Sequence, residues 1–286
     1  MTTDDGGSTR GRTFLRSKEL AIAGVLALVI VAAVATLPLL VDARPAYEIP
    51  VDYRTSEGDL QEPTGESWET VPAASVPLSS AGAAVPQAED TTIEQMRVEV
   101  ARTNDRLYVR LSWADATSDT STDSLREFAD AAALQFPVNE SERPPIAMGS
   151  TSNRVTIWYW SGDGQSQSLL AGGAGTTTQV QDSAMTTTAT HTDDRWNVVF
   201  SRPLASDRAN ATDIPTDQDM DVALAVWNGS NMERSGQKAA SEWYYLALGP
   251  DTGGPPYEAI LWTIAGLAIV FTTLVTVEGV RRTGSE

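Results

Sequence analysis

One lysine stands apart from the other cationic side chains of this sequence. Lys18 and Lys238 are the only lysines among 20 lysine and arginine residues, so Lys238 is the single lysine between residues 45 and 256. An arginine stays protonated in a protein, whereas a lysine that is buried or near a cation can lose its proton. Lys238 is therefore a candidate for a task that needs a neutral amine lone pair. The alternative is a surface lysine without such a task.

Met148 is the second residue whose type could do chemistry. It lies in Arg143–Ser150 (RPPIAMGS), a loop stiffened by two prolines that leads into Arg154–Trp160 (RVTIWYW). A thioether is a soft ligand suited to iron or copper. The alternative is that Met148 packs against its neighbours without binding anything.

Other kinds of site are hard to build. The absence of cysteine excludes disulfides, zinc–thiolate sites, cysteine-ligated iron–sulfur clusters and covalent c-type haem. The one histidine, His191, would have to serve any Ser–His–acid triad, yet it lies in a polar turn and no nucleophile-elbow motif is present. Asp115, Asp119 and Asp123 lack the glycine and glutamate spacing of an EF-hand loop.

The charge limits the partners and suggests the environment. A formal net charge of −18 and a pI near 4.4 exclude nucleic acid as a partner, because phosphate contacts need lysine and arginine. The surplus of acidic residues with almost no lysine indicates adaptation to high salt. An ordinary acidic protein is the alternative interpretation.

The elements that must position Lys238 and Met148 are predicted to be β-strands. Runs rich in β-branched and aromatic residues alternate with period two and are separated by turn signals. The predicted strands are Met96–Ala101, Arg106–Trp113, Arg154–Trp160, Arg195–Phe200, Asp221–Trp227 and Trp243–Leu248. They predict a mainly β domain built as an antiparallel β-sandwich. One short helix is expected at Ser124–Ala133, capped by Asp123 or Ser124, and a long exposed excursion at Ser161–Thr190.

Two uncharged stretches are predicted to be transmembrane helices that flank this domain. Residues 20–41 and 259–277 are long enough to span a hydrocarbon core. Basic residues lie before the first and after the second, which places both ends in the cytoplasm. The predicted organisation is a basic tail (1–19), a span (20–41), an extracytoplasmic domain (45–256), a span (259–277) and a tail (278–286). A cleaved signal peptide is the alternative for the first span.

The order of several segments is similar to that of a known family. The sequence resembles the haem-binding γ subunits of ethylbenzene dehydrogenase and dimethylsulfide dehydrogenase, which belong to the type II dimethyl sulfoxide reductase group. The resembling segments are Arg106–Thr117, Phe128–Val138, Pro144–Ser150, Val155–Trp160, Trp196–Leu204 and Val222–Leu248, with Trp68 before them.

The resemblance implies a cofactor, its ligands and partners. It implies a non-covalent haem b whose axial ligands are Met148 and Lys238, held in a β-sandwich that transfers electrons and is not itself an enzyme. The haem wall would be formed by Trp113, Phe136, Trp158 and Trp160, for which ordinary core packing is the alternative. The implied partners are a molybdopterin catalytic subunit of the nitrate or dimethyl sulfoxide reductase type with an iron–sulfur subunit, or a membrane cytochrome. Tethering at both ends departs from the soluble family members.

Two other functions remain open from the sequence. A β-sandwich also suits a non-redox carbohydrate- or ligand-binding module tethered to the membrane, since fold alone does not define function. A purely structural anchor for a membrane complex is the third possibility. Either kind of protein would be colourless, and replacing Met148 or Lys238 would not impair its function.

Overall fold

The described part of the chain is mainly β, as predicted. The computed structural model describes residues 47–139, 142–180, 184–205 and 212–249, together with six helical positions between 264 and 275. The chain divides into two units, one of which is Tyr47–Asp251 and the other the two chain ends.

Fifteen strands and two short 3₁₀ turns make up the first unit. The 3₁₀ turns are Glu66–Thr70 and Gly229–Asn231. The strands are β1 (Glu48–Ile49), β2 (Val51–Tyr53), β3 (Ala73–Pro77), β4 (Ser79–Ser80), β5 (Gln95–Arg102), β6 (Arg106–Ala114), β7 (Ala131–Pro137), β8 (Val155–Ser161), β9 (Ser166–Ala171), β10 (Thr178–Gln179), β11 (Thr186–Thr192), β12 (Arg195–Pro203), β13 (Met220–Trp227), β14 (Ala239–Ala240) and β15 (Tyr244–Leu246).

These strands form two sheets. The larger has nine strands in the order β1-β15-β13-β7-β8-β9-β10, with β14 also paired to β13 and β4 paired to β14. The smaller has six strands in the order β11-β12-β6-β5-β2, with β3 also paired to β5. Neighbouring strands are antiparallel except for two parallel pairs, β1 with β15 and β2 with β5. The first two strands therefore add to different sheets, β1 to the larger and β2 to the smaller.

The two sheets share one hydrophobic core. Alternate residues of β5, β6 and β12 from the smaller sheet join alternate residues of β7, β8 and β13 from the larger one. In β8, for example, Trp158 and Trp160 lie in this core, whereas Ile157 belongs to a different cluster. Because side chains alternate between the faces of a strand, Ile157 marks the face of the nine-stranded sheet turned away from the core.

The predicted helix at Ser124–Ala133 is wrong. Only a turn forms around Ser124–Glu127, and the alanines that suggested a helix open strand β7. Ala132 pairs with Val226 on one side and Trp160 on the other, so it lies between two longer strands. Tertiary packing in the middle of a sheet here overrides the helix propensity of alanine.

The long exposed excursion predicted at Ser161–Thr190 is also wrong in part. Strand β9 folds back on β8 and extends the nine-stranded sheet, and β11 pairs along its whole length with β12. The Gly-Asp-Gly sequence at 162–164 is the hairpin connection that allows the first of these pairings.

The predicted spans lie almost wholly outside the described residues. Residues 20–41 are not described at all, and of 259–277 only six positions are described, all helical. Within the part of the chain that the structure covers, no helix combines the length and apolar character needed to cross a membrane.

Candidate functional site

A second apolar cluster covers the face of the nine-stranded sheet that points away from the shared core. We call it the platform. Its buried members are Ala133, Val155, Ile157, Ala171, Ala223 and Trp243, and Met148, Tyr159, Leu169, Ala225 and Trp227 pack against them. A sheet face covered only by solvent would carry polar residues, so this apolar face indicates a second packing surface.

Small side chains occupy the middle of the platform. Ala225 of β13 lies opposite Ala133 of β7, which in turn pairs with Tyr159 of β8. The next pair along the strands places Ala223 opposite Gln135. Alanines at these positions let a large flat group come close to the sheet, because nothing beyond Cβ stands in the way.

Met148 lies at one end of the platform and is held there by its backbone. Its φ of 65° is in the left-handed region, which is uncommon for any residue other than glycine. Its N–H donates to the carbonyl of Ile146 at 2.8 Å, and its carbonyl accepts from the N–H of Gly173 at 2.9 Å. The side chain is half-buried against the platform.

Two side chains fix the rest of the Met148 loop to the sheet. Nε2 of Gln135 donates to the carbonyl of Ile146 at 3.1 Å, and Nε1 of Trp243 donates to the carbonyl of Pro144 at 3.1 Å. Both donors are buried residues of the nine-stranded sheet or the segment beside it. The two anchors therefore hold the segment that immediately precedes the thioether-bearing residue.

Lys238 lies at the other end of the platform. Its Nζ atom is 5.0 Å from the centre of the Trp227 ring. Its carbonyl accepts from the N–H of Ala81 at 3.0 Å, and strand β14 begins at the next residue. No carboxylate of residues 47–249 that the structure describes forms an ion pair with it.

The amine of Lys238 is chemically unlike an exposed lysine. Burial lowers its pKa below the ordinary value, because an ammonium group loses hydration energy when it leaves water. Attraction between an ammonium and the Trp227 ring works the other way but is worth only about 0.5–2 kcal/mol. Burial thus shifts the equilibrium of this amine toward its neutral form, which is the form that can bind a metal.

The structure places both singled-out residues on the same surface. Met148 packs against the platform, and Lys238 lies beside Trp227, which packs against the same platform. A thioether and an amine with a lowered pKa thus border one apolar surface, and both are donor types that can bind a haem iron. The donor set fits a non-covalent haem.

The four aromatic residues predicted to form the haem wall lie elsewhere. Trp113, Phe136, Trp158 and Trp160 all belong to the core shared by the sheets and not to the platform. Phe136 packs on Trp158 with ring centres 4.7 Å apart, and Trp113 contacts Trp160 at 6.3 Å. All four therefore pack in the shared core, and their role as a haem wall stays a prediction.

Sequence reasoning missed the aromatic residues that do lie beside the two candidate ligands. Tyr159 and Trp227 meet edge to face with ring centres 5.8 Å apart. Tyr159 alternates with Trp158 and Trp160 along β8, so it points to the opposite face. The alternation of side chains along β8 was the available signal. It identifies Tyr159 as a platform residue only once one face of the strand is known to be the core.

The remaining candidates carry no chemistry in the described residues. His191 lies in β11 and not in an exposed turn; its Nε2 is 2.9 Å from the carbonyl of Asp115, and its ring meets Trp196 edge to face. No group of three or more His, Cys, Asp or Glu residues within the described ranges could hold a metal ion. A groove of about 720 Å³ on the six-stranded sheet, bordered by Arg97, Arg110 and Arg195, contains neither candidate ligand.

The fold and the site define a class: a mainly β domain whose outer sheet face brings a thioether and a desolvated amine to one apolar surface. The sequence model of the family described as ethylbenzene dehydrogenase matches residues 66–185 and 176–239, which include both positions. The chain belongs to this family.

Several relatives support the same assignment. A protein of Haloferax mediterranei named as a respiratory nitrate reductase heme subunit is 53% identical over 269 residues, covering 94% of this chain and 98% of that protein. The chlorate reductase subunit gamma of Ideonella dechloratans is 35% identical, with coverages of 66% and 80%. The dimethylsulfide dehydrogenase subunit gamma of Rhodovulum sulfidophilum is also 35% identical, with coverages of 57% and 64%.

Solved structures are more distant. A family 9 carbohydrate-binding module from Caldicellulosiruptor kristjanssonii, in complex with glucose, aligns with a TM-score of 0.41 and 10% identity. The alignment covers 73% of this chain and 99% of that chain.

Proposed function

We propose that this protein is a b-type haem electron-transfer subunit of a molybdoenzyme complex, with Met148 and Lys238 as the axial ligands of the iron. The relatives named as subunits of nitrate reductase, chlorate reductase and dimethylsulfide dehydrogenase support the assignment. The subunit is not itself catalytic. Electrons pass between it and the subunit that carries out the chemistry.

The observation that carries the proposal is the pairing of Met148 and Lys238 on one apolar surface. A thioether packs on the platform, and an amine whose pKa is lowered by burial lies beside Trp227, a residue of the same platform. A lysine paired with a carboxylate would stay protonated and could not bind iron. When bound, the haem would supply one-electron redox chemistry, and Met148 and Lys238 are the residues that would hold its iron.

The protein's own residues would hold and shield this group. Tyr159 and Trp227 would exclude water from its faces, and the alanines at the centre of the platform would let it approach the backbone. The two anchors on the Met148 loop would fix the thioether before the haem arrives, which lowers the entropy lost on binding. A dry and rigid site also reduces the reorganisation that accompanies electron transfer.

We place the domain outside the cytoplasmic membrane. The two sheets, in residues 45–256, would form a β-sandwich tethered by spans at 20–41 and 259–277, with the tails 1–19 and 278–286 in the cytoplasm. The basic residues that flank the spans support this orientation. The partners would be an outward-facing molybdopterin subunit with its iron–sulfur subunit, or a membrane cytochrome that feeds them.

The visible spectrum of the full-length protein tests this function. The protein is purified in molar salt, loaded with haem and compared with Met148→Leu and Lys238→Arg, which keep the size of the side chain but lose the donor atom. The wild-type protein should show a low-spin, six-coordinate spectrum, and each variant should turn high-spin or lose haem. Arginine cannot supply a neutral nitrogen, so Lys238→Arg separates ligation from charge.

Two matched variants serve as controls. Lys18→Arg removes the other lysine of the chain, and Met232→Leu removes a methionine that is 41% exposed within the Lys238 turn. Both should keep the wild-type spectrum. A folded wild-type protein that takes up no stoichiometric haem would overturn the electron-transfer assignment and leave a tethered binding or scaffolding module.

A further inference from the structure

The turn that carries Lys238 is fixed by two buried carboxylates. It leaves strand β13 after Trp227 and returns as strand β14 at Ala239. Two consecutive backbone amides at its start donate to different acids. The N–H of Asn228 donates to Oε2 of Glu233 at 3.0 Å, and the N–H of Gly229 donates to Oδ1 of Asp130 at 2.8 Å.

Glu233 is buried without a cationic partner among the described residues. Its side chain is 1% exposed. Oε1 accepts from the N–H of Thr92 at 3.0 Å, from Oγ1 of Thr92 at 3.3 Å and from Nδ2 of Asn231 at 3.2 Å. A carboxylate moved out of water and satisfied only by neutral donors is costly, and it is retained where it fixes one conformation. Here it joins the start and the middle of the turn to the segment at residue 92.

Asp130 fixes the turn from the other side. It is fully buried, and its Oδ2 accepts from the N–H of Asp119 at 2.8 Å and from Nε1 of Trp196 at 2.9 Å. Trp196 belongs to the six-stranded sheet, so this carboxylate connects the turn to the shared core. The contact is close: a Cβ added to Gly229 would lie 1.9 Å from the carbonyl oxygen of Phe128.

The far end of the turn is bound to the same frame. The N–H of Gln237 donates to the carbonyl of Arg234, and Nε2 of Gln237 donates to the carbonyl of Asp90 at 3.0 Å. Nε1 of Trp227 donates to the carbonyl of Ser235 at 3.1 Å. These bonds make the turn a single closed unit, so a displacement at its start is transmitted to Lys238.

We propose that Glu233 and Asp130 form a carboxylate clamp that presets the position of Lys238 for iron ligation. Neither touches the platform, so both are positioning residues and not ligands. The inference rests on the proposed haem function. It explains how an eleven-residue turn between β13 and β14 can hold the amine of Lys238 in a defined position. A mobile turn would have to be ordered at the moment of binding, which weakens affinity.

Glu233→Gln in the full-length, haem-loaded protein tests the clamp. The Glu233 carboxylate accepts hydrogen bonds through both of its oxygens. A glutamine can accept through only one oxygen, and its NH₂ group then faces one of the donors. We expect about tenfold weaker haem binding, the effect of one buried hydrogen bond to a charged acceptor, and a partial change of the spectrum from low-spin to high-spin. The amide of Asn228 should exchange hydrogen faster in the haem-free variant. The milder Thr92→Val removes a hydroxyl that donates to Oε1 of Glu233 and accepts from Nδ2 of Asn228, and it should give a smaller shift of the same kind.

The matched control is Glu242→Gln, an exposed glutamate four residues beyond Lys238. It should leave haem affinity, spectrum and amide exchange unchanged. A Glu233→Gln protein that folds and keeps the wild-type spectrum and affinity would overturn the clamp while leaving the haem assignment intact. If the wild-type protein binds no haem, the haem assignment fails, and unchanged exchange at Asn228 in Glu233→Gln would overturn the clamp separately.

Discussion

The amine of Lys238 lies over the ring of Trp227, with Nζ 5.0 Å from the ring centre. Trp227 packs on the platform that also carries Met148. One aromatic side chain therefore covers the lysine and belongs to the surface of the methionine. This contact brings two residues ninety positions apart in sequence to one surface.

Trp227→Ala should expose the amine of Lys238. Burial is the cause of the lowered pKa, so water admitted by the smaller side chain should raise that pKa toward its ordinary value. The pH needed for half-maximal haem binding should rise with it. A titration of haem uptake against pH measures this shift. Tyr53→Ala, which removes a tyrosine that is 51% exposed, should leave the midpoint in place.

Haem binding should weaken as the pH falls, because protons compete with iron for Lys238. In the haem-free protein the sign for stability is also defined. The folded pKa lies below 10.5, so between these two values the unfolded chain binds more protons and stability rises with pH. Lys238→Met should remove this dependence and stabilise the haem-free protein at pH 7. Denaturant midpoints at pH 7 and pH 10 would contradict the assignment if wild type and variant changed in parallel.

Asp130 should produce the opposite slope in the acid range. Burial raises its pKa from 3.8 to about 6 despite the three N–H groups that donate to it. The folded state then holds its proton more tightly, so stability falls as the pH rises from about 4 to about 6, by about 3 kcal/mol at most. Urea unfolding at constant molar salt measures the slope. It should be absent in Asp130→Asn, which also loses about 1–3 kcal/mol because one donor is left without an acceptor. The exposed Asp193→Asn should retain it.

Gly229→Ala should destabilise the Lys238 turn. The new methyl group would lie 1.9 Å from the carbonyl oxygen of Phe128, so the turn and the Phe128 segment must separate. We expect a loss of more than about 2 kcal/mol of folding free energy together with weaker haem binding. Gly172→Ala is the control, because its nearest contact is 3.4 Å and an added Cβ fits. Equal melting temperatures for the two variants would show that the close approach at Gly229 is not maintained in solution.

The division between core and platform aromatics predicts two different mutant behaviours. Phe136→Leu should destabilise the fold by about 1–2 kcal/mol with little change in the haem spectrum, because its side chain lies in the shared core. Tyr159→Ala should weaken haem binding more than it weakens folding, because Tyr159 is only partly buried on the platform. Thermal melting and haem titration of both variants separate the two effects. A spectral change in Phe136→Leu but not in Tyr159→Ala would indicate that the haem lies on the core side of the sheet.

Most strands were predictable from the alternation of side chains. Strand β6 was expected at Arg106–Trp113 and is found at Arg106–Ala114, and β13 was expected at Asp221–Trp227 and is found at Met220–Trp227. The helix expected at Ser124–Ala133 failed for a physical reason. Three consecutive alanines have no periodicity of their own, and their pairing with β8 and β13 decides their conformation.

The sequence by itself singled out the two candidate iron ligands. Lys238 is the one lysine in a domain that otherwise uses arginine, and Met148 is a soft donor in a proline-stiffened loop, and both facts are matters of residue type. The tertiary structure decided which face of the nine-stranded sheet they share and which aromatics accompany them. Parity along a strand gives two faces but does not say which is the core. Only the packing of the second sheet assigns Trp158 to the interior and Tyr159 to the platform.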